Sequence, residues 1–146
     1  MERRAVQLYN SYLRRVHAYA GTKETWTETL NSMGREVFGF KFKGVYPSNR
    51  IPSLTAQNPY CIVNIDKSFQ KGSHWLAMAY HNGHIYVYDS FGRKTKALIG
   101  KKAWKKNMID TDYDAEQKTN QDDCGQRCIA WLMVFDTLGP EYAVTI

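Results

Sequence analysis

The sequence predicts a single α+β domain, with a central mixed or antiparallel sheet flanked by helices, on three observations. The chain opens on a stretch of helical periodicity, its middle carries three short β-branched and aromatic runs, and it closes on an apolar helical run introduced by a cysteine. At 146 residues it has the length of one ordinary domain, enough to bury a core without metals or disulfides.

Each element has its own signal. Residues 2–19 place Ala5, Val6, Leu8, Tyr9, Tyr12, Leu13, Val16 and Tyr19 at near-helical spacing, with Arg3, Arg4, Arg14 and Arg15 between them, so an amphipathic helix is expected as an N-terminal extension over 1–20. Thr27 to Met33 reads as a second short helix stopped at Gly34. Gly39, Gly44, Pro47 and Pro52 make residues 39–59 a loop-rich approach to the core. Three strands are expected at Tyr60–Ile65, His74–Tyr80 and His84–Asp89, the last two joined at Asn82-Gly83, residues that tolerate the positive φ of a type I′ turn. Residues 92–119 are polar and basic, mostly loop with one short strand or helix. From Cys124, the apolar positions Ile129, Ala130, Leu132, Met133, Phe135 and Leu138 describe a well-buried helix ended by Gly139-Pro140.

Composition narrows the class. Hydrophobic residues make up 43% and aromatics 14% of the chain, too apolar for a disordered segment and too interrupted for a membrane-embedded one. No run approaches the roughly 18 apolar residues that span a bilayer, and the opening MERRAVQLYN lacks the apolar core of a secretion signal, so an intracellular site without a membrane partner is expected. Three cysteines, Cys61, Cys124 and Cys128, with no CxxC pair suggest neither a disulfide framework nor a zinc ribbon; a metal site from Cys124, Cys128 and His74 would need an unusual ligand spacing. The net charge is +6, and Arg93, Lys94, Lys96, Lys101, Lys102, Lys105 and Lys106 cluster as either a solvated basic face or a nucleic-acid-binding one.

The hairpin allows its register to be counted. A two-residue turn pairs His81 with His84 and, outward, Leu76 with Asp89 and His74 with Phe91. His74 and Asp89 then share a face as diagonal neighbours with Cα atoms about 7–8 Å apart, close enough for a hydrogen bond. A carboxylate on one imidazole nitrogen fixes the tautomer and leaves the other nitrogen to take a proton from a nucleophile. His17, His81 and His84 are expected to play plain surface roles.

Cys124 supplies that nucleophile. At a helix start, unpaired N–H groups and the helix dipole favour the thiolate, so its pKa is expected to fall below the usual thiol range, with Asp122 and Asp123 opposing unless one caps the helix. Gly125 is expected to leave room for a substrate backbone. Cys128, one turn later, and Cys61, in an apolar strand, are expected to be packing residues. The Cys124 N–H and a side-chain amide from Gln117, Gln121 or Asn120 would hold the oxyanion formed when the thiolate attacks a carbonyl.

Taken together, HW at His74-Trp75, YDSFG at Tyr88–Gly92 and QKTNQDDCGQRC at Gln117–Cys128 resemble the adenovirus maturation protease family, the adenains. The segments GVYPSNRIP (Gly44–Pro52), CIVN (Cys61–Asn64) and GSHWLAMAY (ending at Tyr80) fall in the family's order, so the likeness covers residues 25–138. The resemblance implies the α+β cysteine-protease fold shared with the SUMO-type proteases, with His74, Asp89 and Cys124 as catalytic residues, Gln117 in the oxyanion hole and Trp75 packing over the site. It further implies cleavage of viral capsid or core precursor proteins at sites containing glycine pairs, in the virion or the host-cell interior, whether nucleus or cytoplasmic virus factory, for a virus, virophage or related mobile element. Asp89 stands where adenains have glutamate, as in the SUMO-type branch. The chemistry itself requires no cofactor. The family's activating peptide and DNA are implied by the resemblance, but no cysteine between Asp89 and Cys124 can make the family's disulfide to that peptide, and the chain ends soon after its last helix; dependence on them is not expected. The competing functions are a protease for ubiquitin-like proteins and a non-catalytic nucleic-acid-binding module.

Overall fold

Ala5, Tyr9, Leu13 and Val16 recur at steps of four, four and three, so the first helix, α1 (Glu2–Ala20), has a narrow apolar stripe, and all four side chains are buried. The computed structural model describes residues 2–65, 74–118 and 120–146; residues 66–73, which include Gly72 and Ser73 ahead of His74, lie outside the description. After α1 come α2 (Thr27–Phe38), β1 (Phe42–Pro47), β2 (Tyr60–Asn64), β3 (Trp75–His81), β4 (His84–Tyr88), α3 (Thr95–Ile99), β5 (Met108–Asp110), α4 (Cys124–Leu138) and the short α5 (Pro140–Ala143).

The five strands form one mixed sheet in the order β1-β2-β3-β4-β5. The outer pairs β1/β2 and β4/β5 are parallel, and β2/β3 and β3/β4 are antiparallel. Side chains alternate between its faces as a strand period of two requires. Tyr60, Ile62, Trp75, Ala77, Ala79 and Tyr88 face one core, built with α1, α2 and α4. Cys61, Val63, Leu76, Met78, Ile85 and Val87 face a second, closed by Leu54, Ile99 and Met108. Ala77 and Ala79 present little bulk where α4 crosses β3, so the helix lies close to the sheet and is buried over nearly its whole circumference. The Cys124 end of α4 lies against the start of β3, and Phe135 reaches His81 at the other end of that strand, with ring centroids 6.3 Å apart. The nucleophile candidate therefore sits at the end of the inner strands, where β3 begins and β4 ends.

Four sequence expectations change. Gly34 does not stop α2. The helix runs on to Phe38, and a Cβ at Gly34 would lie 2.4–2.5 Å from the Phe42 ring, so the glycine is a seat for that ring; the stop is Gly39, at φ 61°. Residues 42–47, read as loop, form edge strand β1, whose register slips between Phe42 and Gly44; its glycine, lysine and proline obscure the strand pattern. The polar stretch after Gly92 contains both a helix (α3) and a strand (β5), and α4 is followed by α5 rather than being the last helix. Among the described residues, no helix is long and apolar enough to cross a membrane.

Candidate active site

The counted register is the observed one. Asn82 and Gly83 turn with φ of 48° and 83°, His81 pairs with His84, and the ladder runs out to Ala77 and Tyr88. His74 and Asp89 lie just beyond the ladder ends and meet: His74 Nε2 is 2.5 Å from Asp89 Oδ1. Burial pushes the Asp89 carboxyl up, but its bonds to His74 and Arg93 outweigh that and hold it well below the usual carboxylate range. An ionised carboxylate only accepts, so Nε2 carries the proton and Nδ1 is left for chemistry. Asp89 also accepts from the backbone N–H groups of Phe91 (3.2 Å) and Arg93 (3.0 Å) and from Arg93 Nε (2.8 Å). The Phe91 ring contacts both the His74 ring, at 5.3 Å, and the Arg93 guanidinium, at 5.1 Å. Arg93 thus belongs to this site and leaves the basic cluster in which the sequence placed it.

Cys124 opens α4, and its sulfur receives the backbone N–H of Trp75, the residue after His74. The expected lowering of the thiol pKa is not found. Cys124 is 4% exposed, and burial pushes it up to about 11; the N–H groups of Trp75, Gly125 and Cys124 itself pull down, while Asp123 adds to the rise. Desolvation of a thiolate outweighs the helix start here. Neither aspartate caps the helix through its side chain: Asp123 is the N-cap residue, but its carboxylate is held by His17 Nε2 at 2.8 Å and Arg127 Nε at 2.9 Å. Gly125 does not open space for a substrate. A Cβ there would lie 2.9 Å from Thr25 Cγ2 and 3.0 Å from Leu30 Cδ1, so its bare Cα lets the chain entering α2 dock on the helix start.

Gln117 is buried, and its amide is oriented from both ends. Ser90 Oγ donates to Oε1 at 2.6 Å, and among the described residues Nε2, which has two hydrogens, donates to the Gln121 carbonyl at 2.5 Å. The Gln117 N–H bonds the Ser90 carbonyl at 3.0 Å, so the segment before Cys124 is tied to the residue after Asp89. Gln121 supports Gln117 rather than competing with it, and Asn120 is exposed. The Trp75 side chain is buried in the helix-side core, the cluster that also contains Cys124, and its backbone N–H donates to the Cys124 sulfur.

Of the cationic cluster, Lys94, Lys96, Lys101, Lys102, Lys105 and Lys106 are exposed around α3 and the turn into β5. His81 and His84 sit exposed at the hairpin turn, but His17 is partly buried on Asp123 and is no plain surface residue. Cys61 and Cys128 are wholly buried, and burial raises both thiols, Cys61 to about 12. Sequence reasoning missed His17, Ser90 and Arg127. Only Arg127 carried a signal, as a charge inside an otherwise apolar helical run. Among the described residues, no group of three His, Cys, Asp or Glu side chains is arranged to hold a metal ion. The chain matches no protein-family model, and no curated protein sequence matches it.

Proposed function

We propose that the protein is a cysteine endopeptidase with Cys124 as nucleophile, His74 as base and acid, Asp89 orienting the imidazole, and the Cys124 N–H and Gln117 Nε2 receiving the oxyanion. The observation that carries this reading is the His74–Asp89 bond, which engages Nε2 and not Nδ1, on the residue directly before the one whose N–H touches the Cys124 sulfur. Because burial keeps the thiol protonated at neutral pH, deprotonation accompanies attack. Nδ1 takes the thiol proton as sulfur bonds to the scissile carbonyl carbon. The tetrahedral oxyanion collapses, the C–N bond breaks, and His74 gives that proton to the leaving amine. Water, deprotonated by the same nitrogen, then cleaves the thioester and restores the thiol. Two aligned donors on a developing oxyanion and a positioned base supply the kind of transition-state stabilisation that acyl transfer needs.

On this reading the fold is of the type shared by adenains and SUMO-type proteases, and the substrates are viral capsid or core precursors cut at glycine-containing sites during maturation, inside the virion or the infected cell. The six exposed lysines offer DNA a surface that would concentrate the enzyme on packaged substrates. The test is to mix the protein with the structural proteins encoded beside it and map the products by mass spectrometry. Cleavage at glycine-containing bonds by the wild type, lost in a folded Cys124→Ala variant, is expected. Cutting that persists in Cys124→Ala removes the proposal, and selective cleavage of a ubiquitin-like tail instead redirects the substrate class.

A further inference from the structure

Arg127 is an unusual residue for its place. It lies on the first turn of α4 between Gln126 and Cys128, 7% exposed, in a helix whose other interior positions are largely apolar. Burying a guanidinium forfeits its hydration unless its donors are satisfied, and an apolar side chain would fill the space without that loss. Its donors are distributed in a particular way. Nε donates to Asp123 Oδ1 at 2.9 Å, Nη1 to the Glu116 carbonyl at 3.0 Å and the Tyr9 hydroxyl at 3.4 Å, and Nη2 to Gln121 Oε1 at 3.3 Å.

These acceptors fall in two parts of the chain, the segment leading into α4 and α1. Glu116 and Gln121 flank Gln117, and the Gln121 carbonyl holds the Gln117 amide. Asp123 directly precedes Cys124 and is fixed from its other side by His17 of α1. Tyr9, also on α1, passes the contact to Tyr88, the residue before Asp89, through hydroxyls 3.0 Å apart. We propose that Arg127 is a positioning residue, clamping the segment that carries Gln117 onto the start of α4 so that oxyanion donor and thiol hold one register. The role rests on the reading of Cys124 as nucleophile and Gln117 as oxyanion donor. The guanidinium carries five N–H donors spread over three nitrogens in a fixed plane, which lets it reach all four acceptors at once; a lysine ammonium has three donors on a single nitrogen and cannot span them.

The test compares wild type with Arg127→Lys and with Gln121→Ala, a half-buried loop change that removes one acceptor and leaves α4 untouched. Three quantities are read: turnover of a fluorogenic peptide amide ending in Gly-Gly, alkylation of Cys124 by iodoacetamide, and amide hydrogen exchange at Glu116, Gln117 and Gln121. Alkylation forms no oxyanion, so it separates donor placement from thiol reactivity. For Arg127→Lys, kcat is expected to fall about tenfold to a hundredfold with KM little changed, short of the 10²–10³ lost when an oxyanion donor is removed outright. Alkylation stays within about twofold, and the three amides exchange faster while the middle of α4 does not. Gln121→Ala follows in the same direction with a smaller loss. Unchanged turnover in both variants, alkylation that falls in step with turnover, or unaltered exchange overturns the positioning role while leaving the protease reading intact. A wild type that leaves the peptide and the precursor proteins uncut overturns the protease reading itself, and exchange then reports on the clamp alone.

Discussion

Asp89 and Glu116 are two carboxyl groups of one neighbourhood that burial would neutralise alike, and their partners send them opposite ways. Asp89 collects His74, two backbone N–H groups and Arg93, and stays ionised. Glu116 has one oxygen, Oε1, buried without a hydrogen-bond partner, and burial pushes its pKa from 4.5 up to about 8, the Tyr88 bond opposing and Asp114 adding to the rise. A carboxyl whose pKa is raised by folding stabilises the fold fully below its unfolded pKa and loses that contribution as pH rises through the folded value. Wild-type stability should therefore drop relative to Glu116→Gln between about pH 4.5 and 8, and then run parallel to it. Thermal unfolding of both proteins across this window checks it; a difference in Tm that stays flat with pH contradicts it. The His74–Asp89 contact was legible because a two-residue turn fixes register by local counting. The state of Glu116, the raised Cys124 thiol and the grip of His17 on Asp123 were not, because each depends on what tertiary packing brings around the group.

The elements that hold the site were read well where periodicity was long and poorly where a glycine had two possible meanings. The hairpin and α4 emerged because turn chemistry and apolar spacing agree with the final fold. Gly34 misled, since a glycine inside a helical pattern looks like a stop, yet here it admits the Phe42 ring, itself buried and stacked with Phe38 at 6.2 Å. Gly34→Ala provides the check at this scale. Helix propensity alone favours alanine by about 1 kcal/mol, but the added Cβ overlaps a ring that cannot easily yield, and overpacking of this kind costs about 1–3 kcal/mol. Net destabilisation in urea unfolding is expected; a variant as stable as wild type contradicts the packing. Gly125 poses the same question beside Cys124, where the missing Cβ serves Thr25 and Leu30.

At the scale of the molecule, α1 is part of the working structure and not an appendage. Its stripe completes the helix-side core, His17 holds Asp123, and the Gly21 and Lys23 carbonyls that follow it accept from the buried Gln126 amide at 3.0 and 2.7 Å. With α1 in place the contacts close a ring. From the Cys124 sulfur they pass to Trp75 and its neighbour His74, then to Asp89, to Ser90 and Gln117, and through Glu116 and Arg127 back to the start of α4. The sequence revealed the catalytic candidates on this ring but not its closure, because Ser90 meets Gln117 and Arg127 meets Glu116 only through tertiary packing, and the α1 contacts that buttress them span more than a hundred positions. The claim at its centre is that Cys124 forms an acyl-enzyme only with the help of His74. The direct measurement is intact-protein and peptide mass spectrometry of acid-quenched mixtures with an activated Gly-Gly peptide ester. The account predicts a single acyl adduct on Cys124 in the wild type and none in a folded His74→Ala variant. An adduct on Cys61 or Cys128, or equal acylation of Cys124 without His74, would contradict it.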